Sequence, residues 1–232
     1  MKIGIITAMS SERAQLAQQL SDPQEIGIAP YTYTTGRIGD NEIILMQSGI
    51  GKVNAAVGTT ELILNFKPDC VISTGVAGGI DLGVEVMDVV VSRELVYHDV
   101  WCGEGNVYGQ VQGMPERFKG DEVLYQTAMS LHGEVTLHGG LICTGDKFIT
   151  DREELDRIKG AFPEGLAVDM ESASIAQVCH IYGIPFLSFR IISDSPAKGN
   201  NVKQYANFWQ EMADRSFGTT EQFLEALPNK IK

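Results

Sequence analysis

GLAVDMESASIAQVCHIYG, residues 165–183, changes periodicity midway. Gly165 to Met170 is a short apolar run of strand character, and from Ser172 onward Ala, Ile and Val recur at helical spacing until Gly183 supplies a stop. Asp169 and Glu171 flank Met170 where the strand hands over to the helix. A carboxylate even partly buried at such a junction is costly unless something binds it. The stretch therefore reads as a βα unit with acids at the carboxyl end of its strand.

The same alternation extends in both directions. KIGIITA (2–8), DCVISTG (69–75), DVVVSRELVYHD (88–99), HGGLICTGD (138–146) and PFLSFRIISD (185–194) read as strands. SSERAQLAQQL (10–20, with Ser10 as N-cap), KVNAAVGTTELILNF (52–66), DREELDRIKGAF (151–162) and a terminal stretch from Tyr205 to Leu227 with one break read as helices. YTYTTGRI and NEIILMQSG form a hairpin through Gly39-Asp40-Asn41. The pattern predicts one α/β domain over residues 1–232, a three-layer αβα sandwich around a central mixed, mostly parallel twisted sheet.

Composition narrows the function. The chain has 232 residues and a formal charge of −12, which argues against nucleic acid and anionic membranes as partners. Its N-terminal apolar run is too short for a signal peptide or a membrane span. Cys70, Cys102, Cys143 and Cys179 are scattered, with no CxxC pair and no Cys/His set at zinc-ligand spacing. A reducing, cytoplasmic setting is expected, with no metal and no cofactor.

Ligands of such sheets bind beyond the carboxyl ends of strands. That rim collects Met9 and Glu12, VAGG (76–79), Asp146 and Phe148, Met170 and Glu171, and Ser193 and Asp194. VAGG reads as a tight turn that lets a ligand approach the backbone. GIGK (49–52) lacks the phosphate-loop spacing and reads as a glycine turn opening a helix. His98, His132, His138 and His180 pair with no Ser or Cys in a recognisable way and are read as structural or surface residues.

KIGIITAMSSE (2–12), SGIGKVNAA (48–56), STGVAGG (73–79), GDKFI (145–149), VDMESASIAQVC (168–179) and RIISD (190–194) resemble, in order and spacing, the 5′-methylthioadenosine/S-adenosylhomocysteine nucleosidases of the nucleoside phosphorylase superfamily. The resemblance covers nearly the whole chain. It departs at Val76, where bacterial members often have Ser, at Asp169, where they often have Glu, and in WCGEGNVYGQVQG (101–113), a variant of the loop that caps the substrate.

The resemblance implies hydrolysis of an adenine nucleoside, with Asp194 as general acid toward purine N7 and Glu12 orienting and deprotonating water. It places Arg190 beside that water and Glu171 on the ribose 2′- and 3′-hydroxyls. Met170 would lie against the sugar or base, Phe148 would stack on adenine, and the backbone around Ile149 would read its edge. Met9 and Ile50 would enclose a 5′-alkylthio group, with Ala77, Gly78 and Ser193 completing the binding surface. A homodimer is implied, in which residues 101–107 approach the partner's pocket. A carboxylate at position 12 would repel phosphate, which favours a hydrolase over a phosphorylase. A futalosine-type nucleosidase, a phosphorylase using Arg190 and Arg13, and a non-catalytic nucleoside-binding protein remain as alternatives.

Overall fold

A computed structural model describes residues 1–133, 135–198, 200–211, 213–228 and 230–231. Its centre is β1 (Lys2–Thr7), whose strand pairs in parallel with β4 (Asn41–Gln47) on one side and β5 (Cys70–Gly79) on the other. Beyond β4 the sheet continues antiparallel through β3 (Tyr31–Ile38) to the edge strand β2 (Ser21–Ile28). Beyond β5 it curls into a closed ring. β5 pairs in parallel with β10 (Phe186–Asp194), which runs antiparallel to β6 (Val89–Tyr97). β6 pairs with β8 (Leu137–Thr144), β8 with β9 (Gly165–Asp169), and β9 returns to β5. The short β7 (Phe118–Lys119) lies against β6.

Side chains alternate across these strands, and two cores result. On one face α2 (Lys52–Phe66) and α5 (Ser172–Tyr182) pack together over Ile6, Ile44, Met46 and Val71. On the other, α1 (Ser10–Ala17), α3 (Glu122–Met129), α6 (Asn201–Glu211) and α7 (Ala213–Ala226) cover Ile3, Ile5, Leu45 and Ile72. Helix α4 (Arg152–Ala161) closes a third cluster over Val96, Leu141 and Cys143 with Leu155 and Ile158. Among the described residues no helix is long and apolar enough to cross a membrane.

Several sequence expectations need correction. Residues 76–79 are not a turn. They extend β5, pairing with Ile191, Ile192 and Asp194 of β10 and with Val168 and Ala167 of β9. Gly79 belongs there because a Cβ would crowd Ile192 at 3.2 Å. The first helix is capped by Met9, which is extended, and not by Ser10. Glu12 reaches back to the Met9 amide as the third residue of a capping box would. Strand β2 and helix α3 went unread: β2 is polar and almost wholly exposed, so burial leaves no alternation in it.

Candidate active site

A cavity of about 260 Å³ opens where β1, β5, β9 and β10 end. Eleven of the twelve expected site residues line it: Met9 and Glu12 after β1, Ala77 and Gly78 in β5, Met170 and Glu171 after β9, Ser193 and Asp194 ending β10, and Ile50, Phe148 and Ile149 from two loops. Arg190 lies beneath the site, fully buried.

Glu12 is buried at the start of α1. Its Oε2 accepts the Ala8 and Met9 amides at 2.9 Å each, and its Oε1 accepts the Val76 amide at 2.9 Å. Burial raises its pKa, while the Arg190 charge and these three amides oppose the rise. The result is a carboxylate fixed in orientation and held readier to take a proton than an ordinary glutamate.

Glu171 also faces the cavity. Its Oε1 accepts the Gly51 amide at 3.0 Å, and its Oε2 lies 3.6 Å from Arg190 Nη2. Burial, with the Asp169 and Glu12 charges, pushes its carboxyl up to about 7 against the pull of Arg190 and the Gly51 amide. Asp169, two residues earlier, has a different task. Its Oδ2 lies 2.9 Å from Arg190 Nε, its Oδ1 accepts the Thr144 hydroxyl at 2.6 Å, and Ser172 donates to it with both amide and hydroxyl. Arg190 further donates to Ser172 Oγ at 3.1 Å and Ser73 Oγ at 2.8 Å. The guanidinium is thus held by the floor of the site.

Asp194 ends β10 with almost no exposure. Its Oδ1 accepts the Ser193 hydroxyl at 2.7 Å and its Oδ2 the Asn201 amide at 3.1 Å. Burial raises its pKa, and these two donors offset only part of the rise. It is a carboxyl that burial makes readier to hold a proton than an ordinary aspartate.

Three buried acids with raised pKa, Glu12, Glu171 and Asp194, face one apolar-walled cavity. This is a geometry for acid–base chemistry on a polar ring substrate. The model of the phosphorylase superfamily matches residues 2–225. The 5′-methylthioadenosine/S-adenosylhomocysteine nucleosidase of Geobacillus thermodenitrificans is 42% identical, with all of both chains covered. The chain belongs to this nucleosidase family.

Solved structures agree. The Streptococcus pneumoniae nucleosidase, bound to the transition-state inhibitor MT-ImmA, is 39% identical with a TM-score of 0.92, over 98% of this chain and 100% of that one. The futalosine hydrolase of Helicobacter pylori is 30% identical with a TM-score of 0.87, over 98% of this chain and 97% of that one.

The departures from the nucleosidase pattern have a physical reading. Val76 holds Glu12 through its backbone amide, a contact that does not depend on the side chain. Asp169 is spent on Arg190, Thr144 and the first turn of α5, where a short carboxylate fits. Sequence reasoning missed Tyr205 and Asn201. Tyr205 lines the cavity, donates to Met9 Sδ at 3.4 Å and meets Phe148 edge-on at 5.6 Å between centroids. Asn201 steadies Asp194 and also donates to the Ile149 carbonyl at 2.9 Å. Both sit on α6, where Tyr205 reads as an ordinary member of an amphipathic helix and Asn201 lies before the helix start expected from the sequence.

Proposed function

We propose that the chain hydrolyses the N-glycosidic bond of 5′-methylthioadenosine and S-adenosylhomocysteine, and of 5′-deoxyadenosine, releasing adenine and the 5′-substituted ribose. Residues 1–232 act as one nucleosidase-type domain. The observation that carries this reading is the pairing of Glu12 and Asp194, both buried and both lining one cavity.

In this reading the Asp194 carboxyl gives its proton to purine N7 as the C1′–N9 bond breaks. Water bonds to C1′ and its proton passes to Glu12. The negative Glu171 receives the ribose 2′- and 3′-hydroxyls and steadies the cationic sugar. Phe148 stacks on adenine, and the backbone at Ile149 meets its edge. Met9 and Ile50, together with Tyr205, receive the uncharged 5′-thioether. A phosphorylase would need cations presented to phosphate. Here Arg190 is committed to Asp169, Ser172 and Ser73, and Glu12 stands where phosphate would have to approach.

The test is purified protein with 5′-methylthioadenosine, with and without phosphate. Free adenine and methylthioribose at a phosphate-independent rate support the reading. A ribose 1-phosphate product would overturn it.

The protein is also proposed to work in the reducing cytoplasm, in keeping with its free cysteines, and as a homodimer. Val53, Val57, Leu64, Trp101, Val107 and Ile181 are exposed apolar side chains of the kind an interface covers. Sedimentation as a fully active monomer would contradict the dimer.

A further inference from the structure

GIGK (49–52) is more than a glycine turn. Helix α2 starts after Gly51, which has φ +95° and no side chain to cap the helix. The exposed amides of a helix start need partners. Two consecutive amides here find carboxylates from distant segments. Gly51 N–H donates to Glu171 Oε1 inside the cavity, and Lys52 N–H donates to Asp146 Oδ1 outside it at 2.8 Å. The Asp146 amide in turn donates to Asp99 Oδ2 at 2.9 Å. Lys52 Nζ closes the circle on both Asp99 oxygens at 2.8 Å. Gly51 is packed so tightly that a Cβ would sit 2.9 Å from Asp146 Oδ1.

The circle joins three loops. One carries Ile50, one carries Phe148 and Ile149, and the third follows β6 and leads into residues 101–113. None of its three side chains lines the cavity.

We propose that Lys52, Asp99 and Asp146 are positioning residues, a ring that aims the Gly51 amide at Glu171 and sets the spacing between the Ile50 and Phe148 walls, and so controls nucleoside affinity without touching the nucleoside. The proposal rests on the nucleosidase reading. Glu171 is faced by Arg190 from β10, Asp169 from β9, Glu12 from α1, Tyr205 from α6 and the Gly51 amide. Only the last of these depends on the ring. Loss of a donor to the charged form raises a carboxyl pKa. Loosening the ring should therefore move the pH below which Glu171 loses its charge, and with it substrate binding, upward.

The experiment compares wild type, Asp146→Ala and Asp146→Asn. Asp146→Ala is expected to raise KM for 5′-methylthioadenosine about tenfold with little change in kcat, a loss the size of one cap. The acidic limb of kcat/KM should move up by about half a pH unit or more. Asp146→Asn keeps an acceptor and should recover most of both effects. Exchange of the Gly51 amide, followed by NMR, should be about tenfold faster in Asp146→Ala than in wild type. That measurement needs no substrate, so it separates failure of the ring from failure of the nucleosidase reading, which would show as a wild type that releases no adenine. Unchanged Gly51 exchange in Asp146→Ala overturns the proposal, as does an unchanged KM and acidic limb in a wild type that does release adenine.

Discussion

Arg190 Nε lies 2.9 Å from Asp169 Oδ2, and each side chain is only 1% exposed. This pair underlies the site, since the same guanidinium reaches Ser73, Ser172 and Glu171. Removing one member of a buried ion pair leaves an uncompensated charge and typically costs about 3–5 kcal/mol. Asp169→Ala should lose stability on that scale in urea denaturation. A loss below about 1 kcal/mol would mean that Ser73, Ser172 and Glu171 suffice for the guanidinium.

Glu171 has the opposite character. Its carboxyl sits at about 7 in the folded chain against an ordinary 4.5. The folded state therefore holds this proton more tightly than the unfolded state does. The associated stability is fully present below about pH 4.5 and is lost as pH rises through 7. Glu171→Gln removes the ionisation, so the variant should be more stable than wild type at pH 8, by on the order of 1–3 kcal/mol. The difference should shrink as pH falls toward 4.5. Thermal unfolding of both proteins across that range checks it. Parallel curves would contradict it.

Gly75 is the third point of leverage. Its φ of +141° favours glycine, and a Cβ there would press on Glu12 Oε1 and lie 3.0 Å from Arg190 Nη1. Glu12 is pinned by three amides and has little room to yield. Gly75→Ala should fold with a displaced Glu12 and lose about 10²-fold or more in kcat, the scale of a misplaced catalytic group. Wild-type kcat in this variant would show that the position of Glu12 is not critical.

The acids of the site were legible because each follows an apolar strand, and the carboxyl ends of such strands converge. Glu12, Glu171 and Asp194 needed only that rule. The region around VAGG was misjudged because glycine signals a turn and close strand packing alike, and only the pairing of β5 with both β9 and β10 shows which. Arg190 could be foreseen in the site, but its place beneath the cavity is set by Asp169 and by two serines, Ser73 lying 117 residues away in sequence. Tyr205 arrives on a helix whose pattern records only its amphipathic face, and Asn201 precedes the stretch in which that pattern is visible. The ring through Lys52, Asp99 and Asp146 joins segments 47 and 94 residues apart, a relation that no local pattern encodes.

The central claim is that Asp194 and Glu12 divide the acid and base work. The most direct measurement is kcat together with a direct binding constant for Asp194→Asn and Glu12→Gln acting on 5′-methylthioadenosine. Both substitutions keep the shape while removing the carboxyl's proton chemistry; Glu12→Gln also gives up at least one of the three amide hydrogen bonds. Each should lower kcat by about 10²–10⁴-fold, with Asp194→Asn near the upper end because unprotonated adenine is a poor leaving group. Binding should stay within about threefold of wild type, since in this account neither role is exercised in the ground state. Near-normal kcat in Asp194→Asn would mean that the proton comes from elsewhere, and the account would be wrong.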